Sequence, residues 1–275
     1  MNYGRTSLRR RAKQLDARGT RIRHKIGVIL GKLLLIGIIV GGCATVSFGV
    51  GAFKGILASA PDISEVDVIP TGYSTKVLAA DGSETAKLVA AGSNRQYVTI
   101  DQIPENLQHA VVAIEDERFY DHNGIDLKGI VRALVADVRT RDFSQGASTL
   151  TQQLIKNNVL SEQWANENDS NISKIEKMER QVQRKIQEQY LAIELEKKVN
   201  DKNWILENYL NSINLGSNTL GVQAAAQRYF GKDVSKLTLS ECAVIAGITK
   251  NPAGYNPILH PKENAKRRKN VRSEE

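Results

Sequence analysis

Residues 33–53, LLLIGIIVGGCATVSFGVGAF, carry no charge at all. As a helix rising 1.5 Å per residue this run is about 31 Å long, close to the roughly 30 Å hydrocarbon core of a bilayer. Lys32 stands immediately before it, where a long amphipathic side chain reaches the headgroup level. Residues 1–25 hold nine basic side chains and one acidic one, which accounts for the whole formal net charge of +8. The basic excess therefore belongs to a tail beside the apolar run and not to the body of the chain. That placement argues against a nucleic-acid partner. It predicts a single-pass anchor in the cell membrane with a cytoplasmic N-terminus and everything after the run outside. Two processing readings compete with an uncleaved anchor: a peptidase-like Ala58-Ser59-Ala60 and a lipoprotein-like Val40-Gly41-Gly42-Cys43. The run is longer than the roughly 7–15 residues of a signal h-region and continues past Cys43, which favours the anchor. Cys43 lies in the run, so pairing with Cys242 is not expected, and no cysteine-ligated metal is indicated.

Beyond the run, residues 54–70 read as a juxtamembrane linker with Pro61 and Pro70. Two short β-prone stretches, 74–78 and 85–90, flank Asp81-Gly82, a hairpin signal, and 97–100 (YVTI) reads as a further strand. From Pro104 the pattern is helical. Leu107, Val111 and Ile114 fall on one helix face ending near Glu115, and a second helix follows Gly124. A third is expected over 149–159 with Ser148 as its N-cap. Residues 161–183 are polar, with Asn166, Asn168, Asp169 and Asn171, and read as a mobile insert followed by a solvated helix start. Further helices are expected over 184–198, 202–215, 222–230 and 238–249, the last almost wholly apolar, with a basic helix from 262 to the end. The fold class is mostly α with a short β-containing neck. The expected divisions are a basic tail (1–32), an anchor (33–53), a linker and neck (54–103) and a helical domain (104–275).

Three stretches carry candidate chemistry. AIEDERFYDHNGID places Glu115 and Asp116 at the end of an apolar helix near Phe119 and His122. A carboxyl group against apolar residues and a second carboxylate suits general acid–base work, although an arbitrary Glu-Asp pair is more often a structural ion-pair member. QGASTLTQQLIKNN gathers Ser148, Thr149, Gln153, Lys156 and Asn157 on or beside one helix. In RKIQEQYLAIELE, Arg184 and Glu188 are one turn apart. Arginine offers a forked contact to phosphate and lysine a point charge, while i,i+4 pairing is the ordinary alternative. No HExxH or CxxC spacing supports a transition-metal site.

These three stretches, followed by NWILENYLNSINLGSNTLGVQAAAQRYFGK and TLSECAVIAGITKNPAGYNP, resemble in order the motifs of the peptidoglycan glycosyltransferases, found in class A penicillin-binding proteins and monofunctional relatives. The resemblance covers roughly residues 73–261. It implies a lysozyme-like, two-lobed helical domain with a mobile, membrane-hugging smaller lobe. The implied reaction polymerises lipid II into a growing glycan strand, with inversion at the anomeric carbon and release of undecaprenyl pyrophosphate, in cell-wall biosynthesis. By match to the motifs, Glu115 is the base for the acceptor's sugar 4-hydroxyl, and Asp116, Phe119 and His122 shape its site. Ser148, Thr149, Gln153, Lys156 and Asn157 line the donor site. Arg184 and Glu188 help hold pyrophosphate, directly or through a divalent cation such as Mg or Mn, with no cofactor otherwise required. Cell-division or elongation proteins are the implied protein partners.

The polar insert at 161–183 makes the interval from Lys156 to Arg184 longer than the resemblance leads one to expect. No Ser-x-x-Lys occurs, so no transpeptidase domain is expected in this chain. The basic C-terminal helix suggests a shortened bifunctional protein rather than a monofunctional one. Two rivals remain: a lysozyme-like enzyme that cleaves glycan, and a non-catalytic scaffold.

Overall fold

The structure is a computed structural model. It describes the chain except residues 1–3, 16–17, 65–67, 90–93, 141–145, 162, 166–171 and 275. Two compact units are present, residues 1–58 and 59–275.

The first unit is helical: α1 (Arg5–Leu15) and α2 (Arg18–Ala58). α2 extends the uncharged run in both directions because no proline interrupts the chain until Pro61, so backbone hydrogen bonding propagates past the charged positions. Its stretch Ile22–Ala58 is long and apolar enough to cross a membrane, and its apolar side chains are exposed.

The second unit opens with an antiparallel hairpin of β1 (Thr75–Leu78) and β2 (Glu84–Leu88). Asp81 closes the turn by accepting from the Ser83 amide and hydroxyl, and Gly82 takes a φ of 83°. Ala90, assigned to the second stretch from sequence, lies outside the described residues. The third strand expected at 97–100 does not form. The Asn211 side chain takes the place of a neighbouring strand, accepting from the Val98 amide at 3.0 Å and donating to the Val98 carbonyl at 2.8 Å. Residues Ile100–Gln102 then turn as a short 3-10 helix whose first amide donates to Glu207 at 2.6 Å. Tertiary polar contacts override the β-propensity of this stretch.

The remaining helices are α3 (Glu105–Glu115), α4 (Leu127–Thr140), α5 (Leu150–Asn158), α6 (Lys174–Val199), α7 (Lys202–Ser212), α8 (Val222–Phe230), α9 (Leu239–Ile248) and α10 (Pro261–Glu274). α9 is buried from Cys242 to Ile248 and packs against α3 and α10, while α5 packs against α6 and α7. Apolar periodicity thus built the interior as expected. The N-cap of α5 is Thr149 and not Ser148: its hydroxyl accepts from the Gln152 amide at 3.2 Å, whereas Ser148 Oγ accepts from Lys185 Nζ at 2.7 Å. α6 begins ten residues earlier than its apolar pattern indicated. Ser173 caps it by accepting from the Glu176 amide, so residues 174–183 of the polar stretch are helix. Asn166, Asn168, Asp169 and Asn171 lie outside the described residues. α7 stops at Ser212 instead of reaching Leu215, because Asn214 bridges Leu220 and the Leu215 amide donates to Thr219.

Apolar faces of two helices are exposed. Leu127, Val131, Leu134 and Val135 on α4 are exposed at a helical spacing, as are Ile175, Met178 and Val182 on α6.

Candidate active site

Glu115 is the last residue of α3, and both its carboxylate oxygens are held. Gln153 Nε2 donates to Oε2 at 3.0 Å, and Thr249 Oγ1 donates to Oε1 at 2.6 Å. Gln153 is itself oriented by Tyr209, whose hydroxyl donates to Gln153 Oε1 at 3.2 Å. Burial, and then the nearby Glu115 and Asp116 carboxylates, push the Tyr209 hydroxyl well above the ordinary tyrosine range, so it remains a donor. The Gln153 amide is thereby fixed with its nitrogen toward Glu115. Neither donor to Glu115 carries a charge, and the carboxylate is left as an aimed acceptor on the wall of a 530 Å³ cavity.

Asp116 and the loop after it join α3 to α5. The Leu150 amide, at the start of α5, donates to Asp116 Oδ2 at 2.9 Å, a carboxylate placed where a helix N-terminus favours one. His122 Nε2 lies 3.0 and 3.1 Å from the two Asp116 oxygens. Phe119 is fully buried, edge-on to His122, with Lys202 Nζ 4.5 Å from its ring centroid. Asp116 also lines the Glu115 cavity, whereas Phe119 and His122 are not among its lining residues. Gly124 completes the junction. Its carbonyl accepts from Thr149 Oγ1 at 2.7 Å, its φ is 87°, and a Cβ there would lie 2.7 Å from the Ala192 carbonyl carbon. Only glycine meets both conditions.

Beyond Glu115 the cavity is walled by Ser148, Thr149, Asp126, Lys250 and Arg267 among others. Asp126 is largely buried, which alone would raise its carboxyl. Hydrogen bonds from Arg118 and the Gly129 amide outweigh that and hold it below the ordinary range.

Lys156, Asn157 and Arg184 line a different cavity, of 340 Å³, together with Arg95, Trp164 and Asn214. Glu115 and the Lys156/Arg184 pair thus line separate cavities. α5 connects them: Thr149 at its start faces the first, and Lys156, seven residues on and roughly 10 Å along the axis, faces the second. Gln153, between them, turns to Glu115.

Glu188 is buried and lines neither cavity. Its Oε1 accepts from Arg184 and its Oε2 from Lys185 Nζ at 3.0 Å. Lys185 also donates to Ser148 Oγ and Gln152 Oε1, tying α6 to α5. The residues here do not fit a divalent cation. The carboxylate is already claimed by two cationic side chains, and among the described residues no three His, Cys, Asp or Glu side chains gather in one place.

Sequence reasoning missed Thr249, Tyr209, Lys185, Lys250 and Arg267. Thr249 and Lys250 sit in the final motif, GITKNP, and Lys185 is adjacent to Arg184; those neighbourhoods were the available signal.

The family profile described as Transglycosylase matches residues 81–274. Penicillin-binding protein 1A of Clostridium novyi (strain NT) is 40% identical over 212 residues, covering 76% of this chain and 23% of that protein. Penicillin-binding protein 1A of Escherichia coli (strain K12) is 41% identical over 222 residues, covering 80% and 24%. The crystal structure of penicillin-binding protein 1A from Haemophilus influenzae is 24% identical over 75% of this chain and 18% of its own, with a TM-score of 0.36, too low to bear on the fold. The chain spans about a quarter of the length of these curated relatives. With the profile running from the hairpin turn through α10, well over half of its residues, this chain belongs to the transglycosylase family.

Proposed function

We propose that the chain is a peptidoglycan glycosyltransferase that polymerises lipid II into glycan strands, held at the outer face of the cytoplasmic membrane by α2. The observation that carries this reading is the pairing along α5. An aimed, acceptor-only carboxylate opens on one cavity, and a cavity lined, among the described residues, by three cations and no carboxylate opens at the other end of the same helix.

Glu115 takes the proton from the acceptor's sugar 4-hydroxyl. The oxygen attacks the anomeric carbon of the donor from the face opposite its pyrophosphate, the carbon–oxygen bond to pyrophosphate breaks with its electrons, and the centre inverts. Pyrophosphate is a good leaving group, so the protein's tasks are to deprotonate the nucleophile and stabilise departing negative charge. Lys156 and Arg184, with Asn157, hold that charge. Gln153 and Thr249 aim Glu115. Asp116, Phe119, His122, Ser148 and Thr149 keep α3, α5 and α6 in register around it. Glu188 acts through Arg184 and Lys185, and no step passes through a metal ion. Confining enzyme and lipid substrate to one surface raises their effective concentration, and the exposed apolar faces of α4 and α6 suit a body lying against lipid.

The test is the purified full chain in detergent micelles, incubated separately with labelled lipid II and with finished glycan. Polymer from lipid II that is lost in Glu115→Gln supports the proposal. Shortened glycan without polymer would make the protein a glycan-cleaving enzyme. Equal, negligible polymer from wild type and variant, under conditions where a related transglycosylase works, would leave only a scaffold.

A further inference from the structure

The neck contributes a side chain to the cationic cavity that no motif pointed to. Arg95 follows the hairpin and is pinned to the residues just before β1. The Arg95 carbonyl accepts from the Ser74 amide at 3.0 Å and from Ser74 Oγ at 3.2 Å, Tyr73 bridges to Arg95, and Arg95 Nη1 donates to the Thr71 carbonyl. From that position the side chain forms wall of the cavity that holds Lys156 and Arg184. It also borders a second cavity of 440 Å³ beside Tyr97 and Asp233.

Its charge is unanswered. Burial lowers the guanidinium from its ordinary value, and no carboxylate offsets the effect. Nε is buried with no hydrogen-bond partner among the described residues. Asp233, which borders the second cavity with it, is engaged by Gln223 and Ser235, and Glu188, beside Arg184, by Arg184 and Lys185. A half-buried cation without a counter-charge is costly, and a buried donor without a partner calls for an explanation. Lys156 likewise has no ion-pair or hydrogen-bond partner among the described residues. Among the described residues the cavity thus presents two uncompensated cations beside Arg184, whose charge Glu188 balances, and its lining includes no carboxylate.

We propose that Arg95 is the third cation of the pyrophosphate site, so that the neck is part of the substrate site and not only a spacer between membrane and body. This rests on the reading of the Lys156/Arg184 cavity as the pyrophosphate site. Its chemistry is direct: a diphosphate offers several oxygens, and a guanidinium from the neck adds a fork that lysine lacks to the groups supplied by α5 and α6. Binding of the anion then couples the neck to the helical body.

The experiment is calorimetric titration of inorganic pyrophosphate into the full chain in detergent micelles, for wild type, R95Q, R95K and K156A, with each variant's thermal midpoint measured alongside. R95Q is expected to weaken binding by about tenfold, the size of one charge-assisted contact, and R95K by less. Wild-type affinity in R95Q with a lowered midpoint would make Arg95 a structural tie to Thr71 and overturn the proposal. If R95Q does not fold, R95K carries the test, and wild-type affinity there overturns it equally. K156A separates the two readings. Weakened binding in K156A with none in R95Q removes Arg95 alone; no effect in either, or no binding by wild type, removes the pyrophosphate site itself.

Discussion

The two cavities at the ends of α5 differ in what they hold. At the Glu115 end each carboxylate among the described lining residues is answered: Glu115 by Gln153 and Thr249, with Gln153 held by Tyr209, Asp116 by His122 and the Leu150 amide, Glu117 by Arg132, and Asp126 by Arg118, while Arg267 Nε on the same wall has no partner among the described residues. At the Lys156 end charge is left over. A reacting carboxylate has to be aimed, and a network in which each member has one geometry aims it. An anion site needs unmet positive charge, because cations already neutralised by the protein have little left for a ligand. The contrast supports the proposal that the first cavity activates the acceptor and the second holds charge.

The sharpest way to break that assignment is Glu115→Gln. The amide keeps the shape but cannot take a proton, so polymerisation should fall by about 10²–10⁴-fold, the range for a positioned general base. Inorganic pyrophosphate affinity, read at the other cavity, should stay at the wild-type value. A parallel loss of both would mean that one cavity serves both tasks.

The answered network depends on the junction at Gly124. Gly124→Ala imposes a left-handed φ on a residue with a Cβ and drives that Cβ into the Ala192 backbone, which α6 cannot move cheaply. A loss of about 3 kcal/mol in denaturant unfolding is expected. Gly82→Ala is the matched control. Its φ is 83° but nothing lies within 4 Å, so about 1 kcal/mol is expected from φ alone. Equal losses at the two sites would show that the contact with α6 is not tight.

At the other cavity, Lys156→Ala should weaken inorganic pyrophosphate binding by about tenfold while leaving the thermal midpoint unchanged, since an exposed lysine without a partner is replaced. Unchanged affinity would remove its phosphate role.

Legibility in the sequence followed the range of the interactions. The end of α3 at Glu115 and the limits of α8 and α9 were readable because apolar spacing, Gly221 and Gly231 at the ends of α8, and the Thr238/Glu241 capping box are all local. The hairpin was readable from Asp81-Gly82 for the same reason. Family resemblance singled out Glu115, Lys156 and Arg184, but not how they are supported. Thr249 reaches Glu115 across 134 positions, and Tyr209 reaches Gln153 across 56, so no window of sequence contains both members. Competition was equally invisible. Whether Ser148 or Thr149 capped α5 depended on Lys185 claiming one of them, and whether 97–100 became a strand depended on Asn211. That Gln153 turns to Glu115 is a contact helix periodicity allows but does not require.

The smallest expected effect tests whether the answered network carries stability as well as aim. Asp126 is held below its ordinary carboxylate range because Arg118 and the Gly129 amide outweigh the effect of burial. A carboxyl group depressed on folding adds stability that is present above its unfolded value, near 3.8, and lost as pH falls through the lower folded value. The difference in unfolding free energy between wild type and Asp126→Asn should therefore be full at pH 6, at no more than about 1 kcal/mol for a partly screened pair. It should shrink steadily below about pH 4 as the native carboxylate takes up its proton. Denaturant midpoints of both proteins across this range supply the reading. A difference that stays constant with pH would place the contribution of Asp126 in packing and its hydrogen bond to Gly129, and would leave the first cavity organised by geometry without help from charge.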